Sequence, residues 1–253
     1  MSMESLFSLR DKKYLVTGGT RGIGRAVTLR FAEAGAAVVA NYAHNEEAAL
    51  ELLRLAEPME GTVDVCRADL TTPKGLSCLA EHFQGVSLSG LVHCAATGVH
   101  LPISKLKARQ FDWVYSLNIR AFFELIQIVI PLLSAGSSIV VLSSSGAVRA
   151  VQDYALIGSS KSALESFSRH LAAELAPEKI RVNILCPGSV KTESWDAMPD
   201  RESRLEKTIT RTPLGRLVTV EEVAASAHFL CSDASSGFIG HRLVLDGGAG
   251  IVE

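Results

Sequence analysis

Runs of apolar, β-branched residues alternate with longer stretches of helical periodicity from one end of this chain to the other, and this alternation constrains its fold more than any other feature. "KKYLVTG" leads into "IGRAVTLRFAEAG" and "AAVVANY" into "NEEAALELLRLAE". Then come "TVDVCRADL", "LSGLVHCAA", a helical pattern over residues 112–133, "SSIVVLSSS", a helix over residues 154–176, "IRVNILCPG" and "GHRLVLDGG". Strand and helix alternate with no Pro/Gly-rich linker, charge block or internal repeat. This predicts one α/β domain over residues 1–253, a doubly wound, seven-stranded parallel sheet with helices on both faces. Such sheets bind ligands outside the carboxyl ends of their strands, so the residues just after each apolar run are the candidates for function.

Composition narrows the class of partner. At 47% hydrophobic and 21% charged, the 253 residues can bury a substantial core. A net charge of -2 offers no electrostatic footprint for nucleic acid or an anionic membrane. The five cysteines, Cys66, Cys78, Cys94, Cys186 and Cys231, are scattered without a CxxC pair, which predicts a reduced, cytoplasmic protein with no metal site. "MSMESLFSLRDKK" has its basic residues after the short apolar run, the reverse of a secretory signal, and reads as mature sequence. The apolar "AFFELIQIVIPLL" carries Glu124, Gln127 and Pro131 and is shorter than the roughly 20 residues a membrane span needs, so it is predicted to be a buried helix.

The first strand runs into "VTGGTRGIGRAV", with Gly18, Gly22 and Gly24 at the turn into a helix. Glycine serves where backbone must turn tightly or approach a pyrophosphate, and the helix N-terminus behind it presents free N–H groups to the anion. The end of the second strand selects the dinucleotide, because an acidic residue there accepts from a free ribose and a 2′-phosphate needs basic or neutral donors. Here "ANYAHN" has no carboxylate before Glu46. Arg21 and His44 are candidates to face a 2′-phosphate, with Asn41 a neutral donor; in the plainer reading Arg21 points to solvent and His44 is a surface histidine. Asp69, after the third strand, is a candidate acceptor for the adenine amino group, or else the cap of the next helix. The expected coenzyme is NADPH.

At the other end of the sheet, Tyr154 precedes Lys161 by seven positions, which in a helix puts the two within roughly 20° on one face, two turns apart. A phenol of ordinary pKa near 10 is a poor acid or base at neutral pH, and a nearby ammonium is expected to bring it down. The serine-rich strand end "LSSSG" comes shortly before the pair.

"TGGTRGIG", "SLNIRA", "VVLSSSG", the Tyr154–Lys161 pair, "PGSVKT" and "LVLDGG" resemble, in order and spacing, the motifs of the short-chain dehydrogenase/reductase superfamily, over nearly the whole chain. The resemblance implies a Rossmann fold and nicotinamide-dependent hydride transfer. It implies that Lys161 holds the nicotinamide ribose and lowers the tyrosine pKa, and that Asn118 organises a proton-relay water. The cofactor contacts it implies are Gly18, Thr20, Arg21, Gly22, Ile23, Gly24, Asn41, His44, Asp69, Leu70, Cys94, Ala95, Ala96, Lys161, Pro187, Gly188, Val190 and Thr192. It also implies a homotetramer, or failing that a dimer. Consistent with burial against another copy, the two long helices are apolar around more of their circumference than one buried stripe requires.

Members of that superfamily commonly have the tyrosine four before the lysine and a serine thirteen before that tyrosine. Here the four-before position is Ile157 and the serine position is kept as Ser144, so only the phenol has moved, by three residues and roughly 4.5 Å along the helix. In carbonyl reduction the acid stands beside the hydride acceptor. In reduction of an α,β-unsaturated thioester the hydride goes to the β-carbon and the charge develops on the carbonyl oxygen, so the stabilising group stands farther off. The spacing is that of the superfamily's enoyl-acyl-carrier-protein reductases, and "CAATGVHLPISKLKARQFDWVYSLNIRA" and "MPDRESRLEKTITRTPLGRLV" resemble their NADPH-dependent type III subgroup. The substrate is then an acyl thioester on acyl-carrier protein or coenzyme A. Residues 193–212 are expected to form a substrate-covering loop, with Trp195 and Met198 as acyl-chain contacts or packing residues, and Leu101 or Pro102, Tyr154 and Ile157 facing the substrate. Two features depart from the pattern. The turn after the fourth strand is His93-Cys94-Ala95-Ala96, and "CPGSVKT" resembles the ketoreductase form of the nicotinamide loop, which keeps reduction of a 3-oxoacyl thioester or another ketone as the alternative.

Overall fold

The structure, a computed structural model, describes residues 3–192 and 201–252. Seven parallel strands form one sheet in the order β3-β2-β1-β4-β5-β6-β7. They are β1 (Lys13–Thr17), β2 (Ala37–Tyr42), β3 (Thr62–Arg67), β4 (Leu88–His93), β5 (Leu133–Leu142), β6 (Arg181–Pro187) and β7 (Arg242–Leu245). The helices are α1 (Met3–Phe7), α2 (Gly22–Glu33), α3 (Glu46–Ala56), α4 (Pro73–His82), α5 (Ala108–Tyr115), α6 (Ala121–Val129), α7 (Ala155–Leu175), α8 (Arg201–Arg211) and α9 (Val220–Cys231). The seven apolar runs of the sequence are the seven strands.

Alternation along the strands feeds two cores, one on each face. In β1, Leu15 packs with Phe83, Leu91, Phe122 and Leu164 on one side. Its neighbours Tyr14 and Val16 pack with Phe31, Leu142 and Leu230 on the other. β4 and β5 divide in the same way, Leu91 and Val141 to the first face and Val92 and Val140 to the second. Both faces are covered, which is why the strands read as almost continuous apolar runs. The chain winds outward in both directions from between β1 and β4, so their carboxyl ends diverge and open a crevice there.

Two helices differ from expectation. The helix expected over residues 112–133 begins at Ala108 and runs as continuous helical structure to Leu132, 25 residues in all, and Leu133 already belongs to β5. That length and composition would suit a membrane span, but its residues Ala121, Phe122, Leu125, Ile126 and Val129 are buried against the sheet. Residues Ser116–Arg120 are wound more loosely, as a π-type turn, and Pro131 tightens the last turn. The second helix, α7, starts at Ala155, so Tyr154 is its N-cap, with φ -117° and ψ 12°, and does not lie within it.

Candidate active site

The glycine turn after β1 is built for close approach. Gly18 and Gly22 have φ of 62° and 50°, in the left-handed region that side chains disfavour. A Cβ on Gly24 would lie 2.1 Å from Gly18 O, so the first turn of α2 can sit down on the loop only because that position is glycine. Arg21, exposed, is the N-cap of α2, and no acidic residue occupies the first turn. Thr20 is buried and Ile23 half-buried beside it. A backbone cradle at the positive end of a 12-residue helix fits the pyrophosphate of a dinucleotide.

The walls of that crevice come from three further strand ends. After β4, Cys94 N donates to Thr17 O (3.2 Å) and Ala95 N to Thr17 Oγ1 (3.2 Å), and a Cβ on Gly18 would meet Ala95 Cα at 3.1 Å. Ala96 follows on the surface. His93, fully buried, pairs its Nδ1 with Thr17 Oγ1 at 2.9 Å, and burial followed by the nearby Lys161 holds its pKa down to about 3. The Cys94 thiol is pushed up to about 12 by desolvation, far from a reactive thiolate. After β6, Gly188 N donates to Leu245 O (2.8 Å), Val190 bridges Val218, and Thr192 lies against Gly22, within 3.6 Å of where a Cβ would be. The loop from Pro187 to Thr192 therefore reaches back to the glycine turn.

At the adenosine side the structure corrects one expectation. Asn41 is 2% exposed, and its Nδ2 donates to Cys66 O and Ala68 O, so its amide ties β2 to the end of β3 and is not offered to a phosphate. Leu70 is buried in the core, which leaves only its backbone for a ligand. His44 is exposed just after β2 and close enough to Asp69 to act on its charge. Asp69 accepts from the hydroxyl and backbone N–H of Thr71, the hydroxyl bond being the main cause of its lowered pKa, and α4 is capped by Thr72 instead.

The reacting end gathers Ser144, Tyr154 and Lys161 on β5 and α7. Tyr154 donates to Ser144 Oγ (3.2 Å), which also accepts from Gly146 N (3.2 Å). The tyrosine ring lies on the backbone of Gly146, where a Cβ would meet Tyr154 Cε1 at 2.5 Å, and it faces His100 at a centroid distance of 5.4 Å. Lys161, 6% exposed, donates from Nζ to Leu142 O at 2.7 Å, and burial brings its pKa down to about 8. The expected lowering of the phenol pKa by this lysine is not found. Burial raises the Tyr154 pKa, and the Ser144 hydrogen bond opposes that. The lysine head is tied instead to the strand, through Leu142 O.

Asn118, on the π-type turn, is also committed differently from expectation. Its Nδ2 donates to Thr97 O (3.0 Å) and Ser160 Oγ (2.9 Å), and its Oδ1 accepts from Thr97 N (2.8 Å). The side chain thus clamps the loop after β4 to α7 with both of its amide hydrogens. Behind the site, Ser143 Oγ donates to the buried Glu165 (2.5 Å), which also holds Arg242 Nε at 2.9 Å.

Beside the phenol opens a cavity of about 420 Å³, lined by Leu101, Ile103, Gly146, Arg149, Asp153 and Tyr154 among others. Leu101 is in its wall. Ile157 is not: it is buried, with Gly98 so near that a Cβ there would meet Ile157 Cγ1 at 2.2 Å, so it fills space between α7 and the loop after β4. Trp195 and Met198 lie outside the described residues. Within the expected loop 193–212, residues Arg201–Arg211 are the helix α8. Arg149, which the sequence did not single out, donates to Ala249 O and Gly250 O and joins the cavity wall to the C-terminal segment. Among the described residues no group of His, Cys, Asp and Glu is arranged to hold a metal ion.

A family model described as enoyl-(acyl carrier protein) reductase matches residues 18–250. The chain is 34% identical over 247 residues to a 1-cyclohexenylcarbonyl-CoA reductase of Streptomyces collinus, spanning 96% of this chain and 88% of the relative. A 7α-hydroxysteroid dehydrogenase solved with NADH and 7-oxo glycochenodeoxycholic acid matches with a TM-score of 0.91 and 31% identity, over 98% of each chain. A 3-oxoacyl (acyl-carrier-protein) reductase from Agrobacterium tumefaciens C58 with NADP bound matches with a TM-score of 0.89 and 25% identity, over 98% of this chain and 97% of that one. The chain belongs to the short-chain dehydrogenase/reductase superfamily and is an oxidoreductase.

The Lys161 ammonium gives this site a pH limit. Protonated below about 8 and neutral above, it can hold hydroxyl groups as a charged donor only on the acid side. Reductase kcat/KM is expected to fall as pH rises through about 8 with the slope of one deprotonation, and Lys161→Arg, which keeps its proton, to move that limb upward. A steady-state pH profile checks this; a flat profile through that range contradicts it.

Proposed function

We propose that this short-chain dehydrogenase/reductase uses NADPH to reduce the conjugated double bond of an enoyl thioester, with Tyr154 stabilising the enolate. The observation that carries the reading is the place of the phenol, seven residues before Lys161 and 3.2 Å from Ser144 Oγ, in a site where the four-before position is a buried isoleucine. Reduction at the β-carbon puts the developing charge on the thioester oxygen, two carbons from the hydride acceptor. A phenol kept protonated by burial can turn its O–H from Ser144 to that oxygen without having to lose its proton, and Ser144 can then donate its own hydroxyl to the phenol oxygen. The description of the matching family model, and a relative named for a cyclohexenylcarbonyl thioester, favour the same chemistry.

A dinucleotide held by the turn from Gly18 to Gly24, by Asp69, by the backbone of Cys94, Ala95 and Ala96, by Lys161 and by the loop from Pro187 to Thr192 would supply the hydride. Arg21 and His44 favour NADPH, since both are exposed and β2 ends without a carboxylate. The substrate is an acyl thioester on acyl-carrier protein or coenzyme A, in fatty acid biosynthesis or related lipid metabolism in the cytoplasm. The assembly is a homotetramer, for which the exposed Phe111, Trp113 and Phe123 on α5 and α6 supply apolar surface.

The alternative is reduction of a 3-oxoacyl thioester or another ketone. Ser144 within hydrogen-bond reach of Tyr154, the "CPGSVKT" loop and the names of the two solved neighbours favour it.

Assays of NADPH oxidation with a crotonyl thioester and, separately, an acetoacetyl thioester discriminate the two. The crotonyl thioester is expected to turn over. Tyr154→Phe should lower that rate by about 10²- to 10³-fold, the worth of one oxyanion donor, while NADPH still binds. Turnover of the acetoacetyl thioester alone would replace this reading with the ketone one. For the coenzyme, calorimetry should show NADPH bound at least about tenfold more tightly than NADH, as a charge-assisted bond to phosphate is worth roughly 1.5–3 kcal/mol. Arg21→Ala should erode the preference, and equal affinities in the wild type would rule it out.

A further inference from the structure

Asp153 precedes Tyr154 with φ of 60°, one of three non-glycine residues with positive φ among the described residues. The other two, Asp11 and Lys179, sit in short connections, Lys179 as the cap that closes the turn after α7. Asp153 is in the wall of the cavity. Left-handed backbone at a non-glycine residue persists only where the surroundings fix it, and at a ligand cavity it invites a functional explanation.

The phenol needs such help because of its position in the chain. α7 begins at Ala155, so helix periodicity does not aim the Tyr154 side chain, and its direction depends on how the chain enters the helix. That entry is held at several points. Leu101 N, from the loop after β4, donates to Asp153 O at 3.1 Å, and Gly158 N donates to Tyr154 O at 2.7 Å. The ring then passes over Gly146, where no Cβ intrudes, and ends at Ser144 Oγ. An Asp153 backbone flipped to negative φ would turn the shared peptide, release Leu101 N and swing the ring off Gly146.

We propose that Asp153 is a positioning residue whose left-handed backbone aims the Tyr154 phenol into the cavity, so that Asp, Asn or Gly serve there and β-branched residues do not. The proposal rests on the reading of Tyr154 as the hydrogen-bond donor to the enolate. It assigns to residue 153 the work that the helix itself performs when the tyrosine lies within it.

The test compares Asp153→Asn, Asp153→Gly and Asp153→Val in the full chain. It measures kcat and KM with the crotonyl thioester, NADPH binding by fluorescence, and the titration of ¹³Cζ-labelled tyrosine by NMR, with Tyr154→Phe to assign the resonance. Asp153→Asn and Asp153→Gly should keep kcat within roughly threefold. Asp153→Val should lower it by about 100-fold, the cost of misplacing a catalytic group by about 1 Å, with NADPH binding unchanged. The Tyr154 resonance should titrate above the ordinary range in wild type and fall toward it only in Asp153→Val. Two results would overturn the proposal: Asp153→Val with wild-type kcat and titration, or Asp153→Gly as impaired as Asp153→Val, which would transfer the effect to the carboxylate. Full activity in Tyr154→Phe would instead remove the reading of Tyr154, and the NMR titration alone would then decide whether residue 153 positions the ring.

Discussion

The hydrogen bond from Tyr154 to Ser144 joins the two halves of the reacting site, and the phenol that makes it is desolvated. A tyrosine in water beside a lysine is drawn toward phenolate, whereas this one, sunk between Gly146 and His100, is held protonated. Its proton is donated to Ser144 and is not poised for transfer; turned toward a thioester oxygen, the same O–H would donate there. That difference separates stabilising an enolate at a distance from protonating an alkoxide beside the hydride acceptor. The rest of the site is arranged around it: α7 packs so closely on the turn after β5 that a Cβ on Gly158 would meet Gly146 O at 2.6 Å.

Beneath the site a buried polar network holds the strand ends in register. Glu165, one turn beyond Lys161 on α7, accepts from Ser143 on one side and Arg242 of β7 on the other, and Arg242 in turn reaches Cys186 Sγ at 2.8 Å. Lys161 bonds to Leu142 O in the same layer. The ends of β5 and β6 and the start of β7 are thereby tied to one helix. Arg149 extends this tie to the C-terminal segment, whose Gly247 O accepts from Leu214 N just after α8.

The strands, their number and the glycine turn were legible in the sequence, because alternation and turn chemistry are local and the helix-strand periods differ. The seven-residue interval was legible too, as a count. What the count did not reveal was the boundary of α7, which leaves Tyr154 outside the helix, or the solvation of its hydroxyl, which is set by Gly146 and His100 from other segments. Asn41 and Asn118 have the right chemistry for a phosphate or a water, but each is consumed by backbone groups distant in sequence, at Cys66 and Ala68 in one case and Thr97 in the other. Arg149 was passed over because its partners lie some hundred residues away. Asp153 stood in plain view in "VQDY", yet its significance is a dihedral angle, which no residue type discloses.

The central claim is that the displaced phenol serves addition of hydride to a conjugated carbon, and the fate of the hydride tests it most directly. With NADPH deuterated at its transferable position and a crotonyl thioester, NMR of the saturated product should find deuterium on the β-carbon. Deuterium found instead only on the carbinol carbon of a hydroxyacyl product, made from the acetoacetyl thioester, would contradict the account.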